Sequence, residues 1–310
     1  MLSVNKSTLI ALLFFVLFIR CNDLAFLEKE QSLIQYFNND YSIPSESQDE
    51  FTILTYNIQM AFANNQSPFD AGNVGGSPEH LRQLAEALAS VDPDFVALQD
   101  VGRNVSHSLI QDQIGFLAEA LKMNYAYADY SEINTLNNPF VRGTRGHAFL
   151  SKYPIKDMDN IEILNQSRYD SRSCQIIEVE LGPNQFITCL NTHFKGGASP
   201  QAKEWETDQI IKIINQTDNP ILLAGDFNNT INASHIKRID NLLPSVLTLA
   251  DDEQRDLVNY QGTKGNPGNN NVIDNIFVDS SYFDILSIGI MDDQYWNLSD
   301  HRFLFATFSI

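Results

Sequence analysis

Eight short apolar runs, rich in β-branched and aromatic residues, recur along residues 51–310. They are Phe51–Tyr56, Phe95–Leu98, His147–Leu150, Gln175–Leu181, Phe186–Leu190, Ile221–Ala224, Val272–Val278 and Phe303–Phe308. Runs of four to seven such residues read as strands, because a helix needs a longer periodic segment. Between them lie stripes at i, i+3, i+4, i+7: Leu81, Leu84, Ala85 and Leu88, then Ile114, Leu117, Ala118 and Leu121. That spacing turns one helix face toward a core. Ser77-Pro78 supplies an N-cap and a proline at the first helical position, and a third helix is expected over Ala202–Ile214. Strands mixed with helices imply a layered α/β protein. No linker or repeat divides residues 51–310, so they form one domain near the upper end of the usual range. Residues 22–50 are polar and read as a leader or tether, with one short helical stretch at Leu24–Phe37.

The strand exits share a chemistry. Phe51–Tyr56 runs into Asn57, Phe95–Leu98 into Gln99-Asp100, and Phe186–Leu190 into Asn191-Thr192-His193. Ile221–Ala224 runs into Gly225-Asp226-Phe227-Asn228, Asp274 lies within Val272–Val278, and Ser299-Asp300-His301 precedes the last strand. Singly these are ordinary; Asp226-Phe227-Asn228 reads equally as an Asx turn. Jointly they imply that, where the ends converge, carboxylates, amides and imidazoles form a cup with no cysteine. Such a donor set suits a hard cation such as Mg²⁺ or Mn²⁺ and leaves histidine for proton transfer.

Composition removes other classes. The chain has 39 acidic against 20 basic side chains, a formal charge of −19, which excludes coating nucleic acid by charge alone. Three cysteines are too few for a disulfide scaffold or a zinc cluster. Cys174 and Cys189 flank the turn Gly182-Pro183-Asn184 out of register, and buried thiols are expected. Residues 1–21 contain no acid: Lys6 precedes the apolar run Leu9–Ile19, and Arg20-Cys21 follows. The run is too short to span a bilayer and reads as a signal peptide. Three readings stay open: a lipoprotein acylated at Cys21, a secretory signal cut a few residues later, and an uncleaved anchor. Each places the body outside the cytoplasm, secreted or at the cell surface, with a membrane tether through the N-terminus in two of them. Asn-X-Ser/Thr sequons at Asn65, Asn104, Asn165, Asn215, Asn228, Asn232 and Asn297 do not settle the host.

In order along the chain, TYNIQ, ALQD, GHAFLSKYPI, NTHFKGG, LLAGDFNN, IDNIFVD and SDHRF resemble the endonuclease/exonuclease/phosphatase superfamily of metal-dependent hydrolases. The resemblance covers 51–310 and is most specific at GDFN and SDH. It implies a four-layer αββα sandwich of two mixed β-sheets with outer helices. It places Asn57, Asp100 and Asp300 at the metal. Asp226 would orient or deprotonate the attacking water, and Asn228 would hold a phosphate oxygen. His301, polarised by Asp274, would stabilise phosphoryl charge or act as a base, and His193 would bind phosphate or protonate the leaving group. Asn191, Arg145 and Lys195 are the further candidates for substrate contact.

Two departures stand out. Asp100 occupies a position where the family usually has Glu, which withdraws the carboxylate by about 1.5 Å unless the backbone advances. His147 stands where many relatives carry a smaller or amide residue, and reads as either a substrate contact or a satisfied edge histidine. The expected function is an exported divalent-metal-dependent phosphoester hydrolase, a phosphodiesterase acting by water attack on phosphorus. Its partner is the phosphoester itself (nucleic acid, phospholipid head group or inositol phosphate), and no protein partner is inferred. The competing class is a non-catalytic surface binding protein whose metal site is weakened at Asp100.

Overall fold

The side-chain period of a strand is two, so each apolar run above can bury both faces only by lying between two layers. The computed structural model, which describes residues 35–42, 49–70, 72–133, 142–163 and 172–310, shows that solution. One sheet contains β1 (Gln35–Asn38), β2 (Glu50–Asn57), β3 (Phe95–Arg103), β4 (Asn124–Glu132), β5 (Thr144–Ser151), β11 (Asp284–Ile290) and β12 (Leu304–Ser309). Their order is β1-β4-β5-β3-β2-β12-β11. The other contains β6 (Ile155–Ile163), β7 (Arg172–Gly182), β8 (Gln185–His193), β9 (Ile221–Asp226) and β10 (Asp274–Val278), in the order β10-β9-β8-β7-β6. Both are mixed. β2 pairs parallel with β3 across helix α1 (Pro78–Ala89), and β8 pairs parallel with β9 across α3 (Pro200–Asn215), the helical crossover a parallel pair requires. The remaining helices are α2 (Gln113–Leu121), α4 (Ser234–Asp240), α5 (Val246–Leu249) and α6 (Asp252–Gln261).

Three apolar clusters define the four layers. Between the sheets, Phe51, Ile53, Phe95 and Ala97 of the first meet Ile187, Cys189, Leu222, Ala224 and Ile276 of the second. Outside the first sheet, Leu54, Tyr56, Val96 and Leu98 pack against Leu81, Leu84, Leu88 and Leu117 of α1 and α2. Outside the second, Leu190, Leu223 and Phe277 pack against Ile210, Ile213 and Ile239 of α3 and α4. The predicted caps are present: Ser77 Oγ accepts from His80 N, with Pro78 at the first helical position.

Some expectations change. Phe37 lies in β1, which pairs with β4, so the Leu24–Phe37 helix does not extend to its predicted end and the tether contributes an edge strand. The rest of that helix, the signal segment, Cys21 and Asn165 lie outside the described residues. β4, β6 and β11 were not anticipated because polar side chains interrupt them; β6 carries Asp157, Asp159 and Glu162 along a sheet edge, where charge discourages further pairing. Cys174 lies opposite Thr192 and Cys189 opposite Ile177; both thiols are free and buried, as expected.

Candidate functional site

Strict alternation carries chemistry to one end of the inter-sheet space. Along β2 the inner face reads Phe51, Ile53, Thr55, Asn57; along β8, Ile187, Cys189, Asn191, His193; along β9, Leu222, Ala224, Asp226. β10 runs antiparallel to β9, so its first residue, Asp274, lies opposite Asp226, the last of β9. His193 is the neighbour of Asp226 on the other side. Asp100 reaches the same place by breaking the alternation. Register shifts between Leu98 and Val101, and Asp100 has φ +50°, so a bulge places two residues where the partner strand has one. The bulge is the local device that turns this shorter carboxylate inward.

The result is an alternating row of acids and imidazoles. Asp100 Oδ1 lies 3.6 Å from His193 Nδ1, and His193 Nε2 lies 3.3 Å from Asp226 Oδ2. The same Asp226 oxygen is 3.5 Å from His301 Nε2, and His301 Nδ1 bonds Asp274 Oδ2 at 2.8 Å. Asn57 Nδ2 donates to Asp226 Oδ2 at 3.1 Å, while Asp226 Oδ1 accepts from Asn228 N at 2.8 Å. Asn228 Nδ2 donates to Phe194 O at 2.8 Å and lies 3.2 Å from His193 Nε2. A cavity of about 660 Å³ opens over this row, and its walls include Asn57, Asp100, Arg145, Asp300 and His301.

A model of the Endonuclease/Exonuclease/phosphatase family matches residues 54–301. The chain belongs to this family. By that membership it is a phosphoester hydrolase. The uncharacterized protein YbhP of Escherichia coli (strain K12) is 24% identical over 221 residues, covering 67% of this chain and 79% of YbhP. An endonuclease/exonuclease/phosphatase of Beutenbergia cavernae DSM 12333 superposes with a TM-score of 0.68 at 18% identity, covering 85% of this chain and 72% of that one. The catalytic domain of human Nocturnin, solved with a bound sulfate anion, gives 0.64 at 18%, covering 89% and 96%. These structures share the αββα sandwich.

Electrostatics in this Endonuclease/Exonuclease/phosphatase site follow from who faces whom. Burial raises the Asp100 carboxyl, but Arg145, His193 and Arg172 outweigh it and hold the group well below the usual carboxylate range. Burial also raises Asp226, and His193, His301 and Asn57 reverse that. Burial opposes charge on His301, yet Asp274 and Asp226 lift it to about 9, so the imidazole is charged at neutral pH. The oxygen donors Asn57, Asp100 and Asp300 line one cavity, with Asp100 ionised, and this chemistry fits a hard divalent cation. Asp226, Asp274 and His301 form a second group of three ligand atoms within 4.8 Å of one another. There the imidazole proton is already committed to Asp274, and the arrangement is that of an oriented His–Asp pair.

Two of the predicted contacts are displaced. Asn191 is fully buried one pleat below His193 and does not reach the cavity. Its Nδ2 donates to Leu98 O at 3.0 Å and Ala148 O at 2.9 Å, and its Oδ1 accepts from Gln99 Nε2 at 2.8 Å, so it joins the two sheets. Asn191→Leu is expected to destabilise the fold by about 2–4 kcal/mol, read by urea unfolding, because three buried partners lose their bonds together. Lys195 is not among the described residues lining the cavity; Gly196 takes that place. His147 is buried in the interior strand β5, opposite Ala128 of β4; it bonds Ser173 O at 3.0 Å and packs on Tyr130 with ring centroids 4.6 Å apart. Burial, then His193, lowers it to about 3, so it is neutral.

The structure adds residues the strand-exit pattern did not single out. The Tyr130 hydroxyl donates to Asp100 and lies 3.3 Å from His193 Nδ1. Arg172 and Arg145 both stack on the Tyr130 ring, at 5.5 and 5.6 Å. Lys264 pairs with Asp300. Gln59, Met60 and Ala61 form a left-handed turn (φ 49°, 54° and 56°), and each such non-glycine residue costs on the order of 1 kcal/mol. Gln59 holds that turn: its N donates to Asn57 Oδ1, its Nε2 to Gln66 O, and its Oε1 accepts from Asp300 N. A regular signal existed only for Tyr130, in the alternating Tyr-Ala-Tyr-Ala-Asp-Tyr of β4.

Behind His193, buried Glu206 accepts from Lys195 N at 3.0 Å. Burial raises its carboxyl to about 7 despite Lys195 and Arg172. A folded pKa above the unfolded value gives full stability below about pH 4.5 and a progressive loss as pH rises to about 7. Glu206→Gln keeps an acceptor for Lys195 and removes the ionisation. It is expected to match the parent at pH 4 and to exceed it by up to about 3 kcal/mol at pH 8, checked by unfolding at both values.

Proposed function

We propose that this chain is an exported, Mg²⁺- or Mn²⁺-dependent phosphodiesterase in which water attacks phosphorus. The observation that carries the reading is the Asp100–His193–Asp226–His301–Asp274 row beneath the cavity. Asn57, Asp100 and Asp300 would hold a divalent cation, which when bound would supply positive charge against the phosphoryl oxygens and Lewis-acid activation of water. The chain's own groups do the rest. Asp226, ionised between two imidazoles, orients the attacking water and accepts its proton. His301, charged and fixed by Asp274, donates to a phosphoryl oxygen as charge develops. His193, set between Asp100 and Asp226, protonates the leaving oxygen. Asn228, on the cavity wall, donates to a phosphate oxygen when it releases its present bonds. Arg145, Arg172 and Lys264 add local positive charge that admits an anionic ester into a chain of net charge −19.

Export is supported by the apolar Leu9–Ile19 run after Lys6. The site is tested by turnover of bis-p-nitrophenyl phosphate, plasmid DNA, RNA, sphingomyelin and inositol phosphates with each cation. Asp226-dependent hydrolysis of any of the four diesters supports the proposal, and turnover of inositol phosphates alone would make the protein a monoesterase and overturn the diesterase reading. A correctly folded protein with no turnover under any cation overturns it in favour of a binding module.

A further inference from the structure

A second cavity, of about 410 Å³, is lined by sequence neighbours of residues that line the first, and its lining has a different chemistry. Its walls carry Thr230, Asn232, Asn259, Asn270 and the ring of Tyr260, and no charged side chain lines it. Tyr260 is 66% exposed, an unusual amount for an aromatic ring at the mouth of a cavity. The two cavities share no lining residue, but two segments contribute to both. The turn after β9 gives Asn228 to the first and Thr230 to the second; residues two apart have Cα atoms at most about 7 Å apart. The loop after α6 gives Lys264 to the first and Asn270 to the second. That loop is held by its own bonds, Gly268 N to Gln261 O, Asn271 N to Asn269 Oδ1 and Thr263 N to Asn271 O, so this wall is a built feature.

We propose that the second cavity is a subsite for a neutral, hexose-sized polyhydroxylated ring, and that the ester cleaved alongside is a sugar phosphoester. A primary amide offers donor and acceptor at once, which matches a hydroxyl that does the same; three amides and a threonine hydroxyl present that pairing around the cavity. The flat face of Tyr260 supplies the apolar surface that the C–H face of a pyranose covers, with its hydroxyl free to bond at the edge. The volume falls within the range of small-molecule sites. A second phosphate is disfavoured by the missing cation, and a continuing nucleic-acid strand by the acidic chain. The ring-binding half stands on this cavity alone; the substrate half rests on the phosphodiesterase reading.

The test is calorimetric titration of the unglycosylated protein with glucose 6-phosphate, mannose 6-phosphate, glycerol 3-phosphate and AMP, alongside bis-p-nitrophenyl phosphate turnover. At least one hexose phosphate is expected to bind 10-fold or more tightly than glycerol 3-phosphate. Tyr260→Ala and Asn270→Ala are each expected to erase that preference while leaving kcat/KM for bis-p-nitrophenyl phosphate unchanged. Equal binding of hexose and glycerol phosphates overturns the proposal, as does a preference that survives both variants or a stronger, Tyr260-dependent preference for AMP. Absence of bis-p-nitrophenyl phosphate turnover with the hexose preference intact overturns the substrate half and the phosphodiesterase reading, and supports the ring subsite.

Discussion

Asp226→Ala is expected to lower kcat for bis-p-nitrophenyl phosphate by about 10³–10⁴-fold at saturating Mg²⁺ or Mn²⁺. One of its oxygens meets Asn57, His193 and His301, and the other accepts from Asn228 N. Removing the carboxylate takes away the acceptor for the water proton and leaves two imidazoles without the charge between them. Asp226→Asn separates these effects. It keeps the shape, yet loses the charge and the basicity, so a loss of about 10²-fold or more is expected. Circular dichroism and the unfolding midpoint should show both variants folded. Retention of half the parent rate in either variant removes Asp226 from the chemistry.

The second large effect concerns His301. His301→Ala is expected to cost about 10²–10⁴-fold in kcat/KM, and the pH profile identifies the reason. Burial lowers this imidazole, but Asp274 and Asp226 raise it to about 9. If the charged form stabilises the phosphoryl oxygens, activity falls as pH rises through about 9, where the proton is lost. Asp274→Asn removes the largest supporting charge, so the alkaline limb moves to lower pH and the activity at pH 8 falls by about 10-fold or more. A limb that stays in place would assign it to another group. An activity that rises with pH through this range would make His301 a base.

Much of this site was readable because strands are simple. A run such as Ile221–Ala224 buried on both faces fixes the direction of the next inner side chain, so Asp226 and His193 were legible from period and position. Asn191 obeys the same period and was misjudged for that reason: period gives the face, while depth along the strand decides between cavity and core. The bulge at Asp100 left no mark in the hydrophobic pattern, because a register shift appears only against a partner strand. Arg172 and Lys264 were hidden by context. An arginine opening a strand and a lysine in a Gly/Asn-rich loop are ordinarily solvated, and only the folded sheets turn Arg172 inward against Tyr130. The layered architecture was legible from alternation and helix stripes, but β6 was not, since this edge strand carries charge in place of an apolar run, and β11 was not, since Ser287 and Gly289 break its Ile and Leu residues into short pieces.

The most direct test begins with chelator-stripped protein, to which Mg²⁺ or Mn²⁺ is added while p-nitrophenolate release from bis-p-nitrophenyl phosphate is followed. A rate near zero in EDTA that rises saturably with the cation and is absent in Asp226→Ala is expected of a metal-dependent hydrolase using this carboxylate. A rate that is the same with and without divalent cation, or that Asp226→Ala leaves intact, contradicts that assignment.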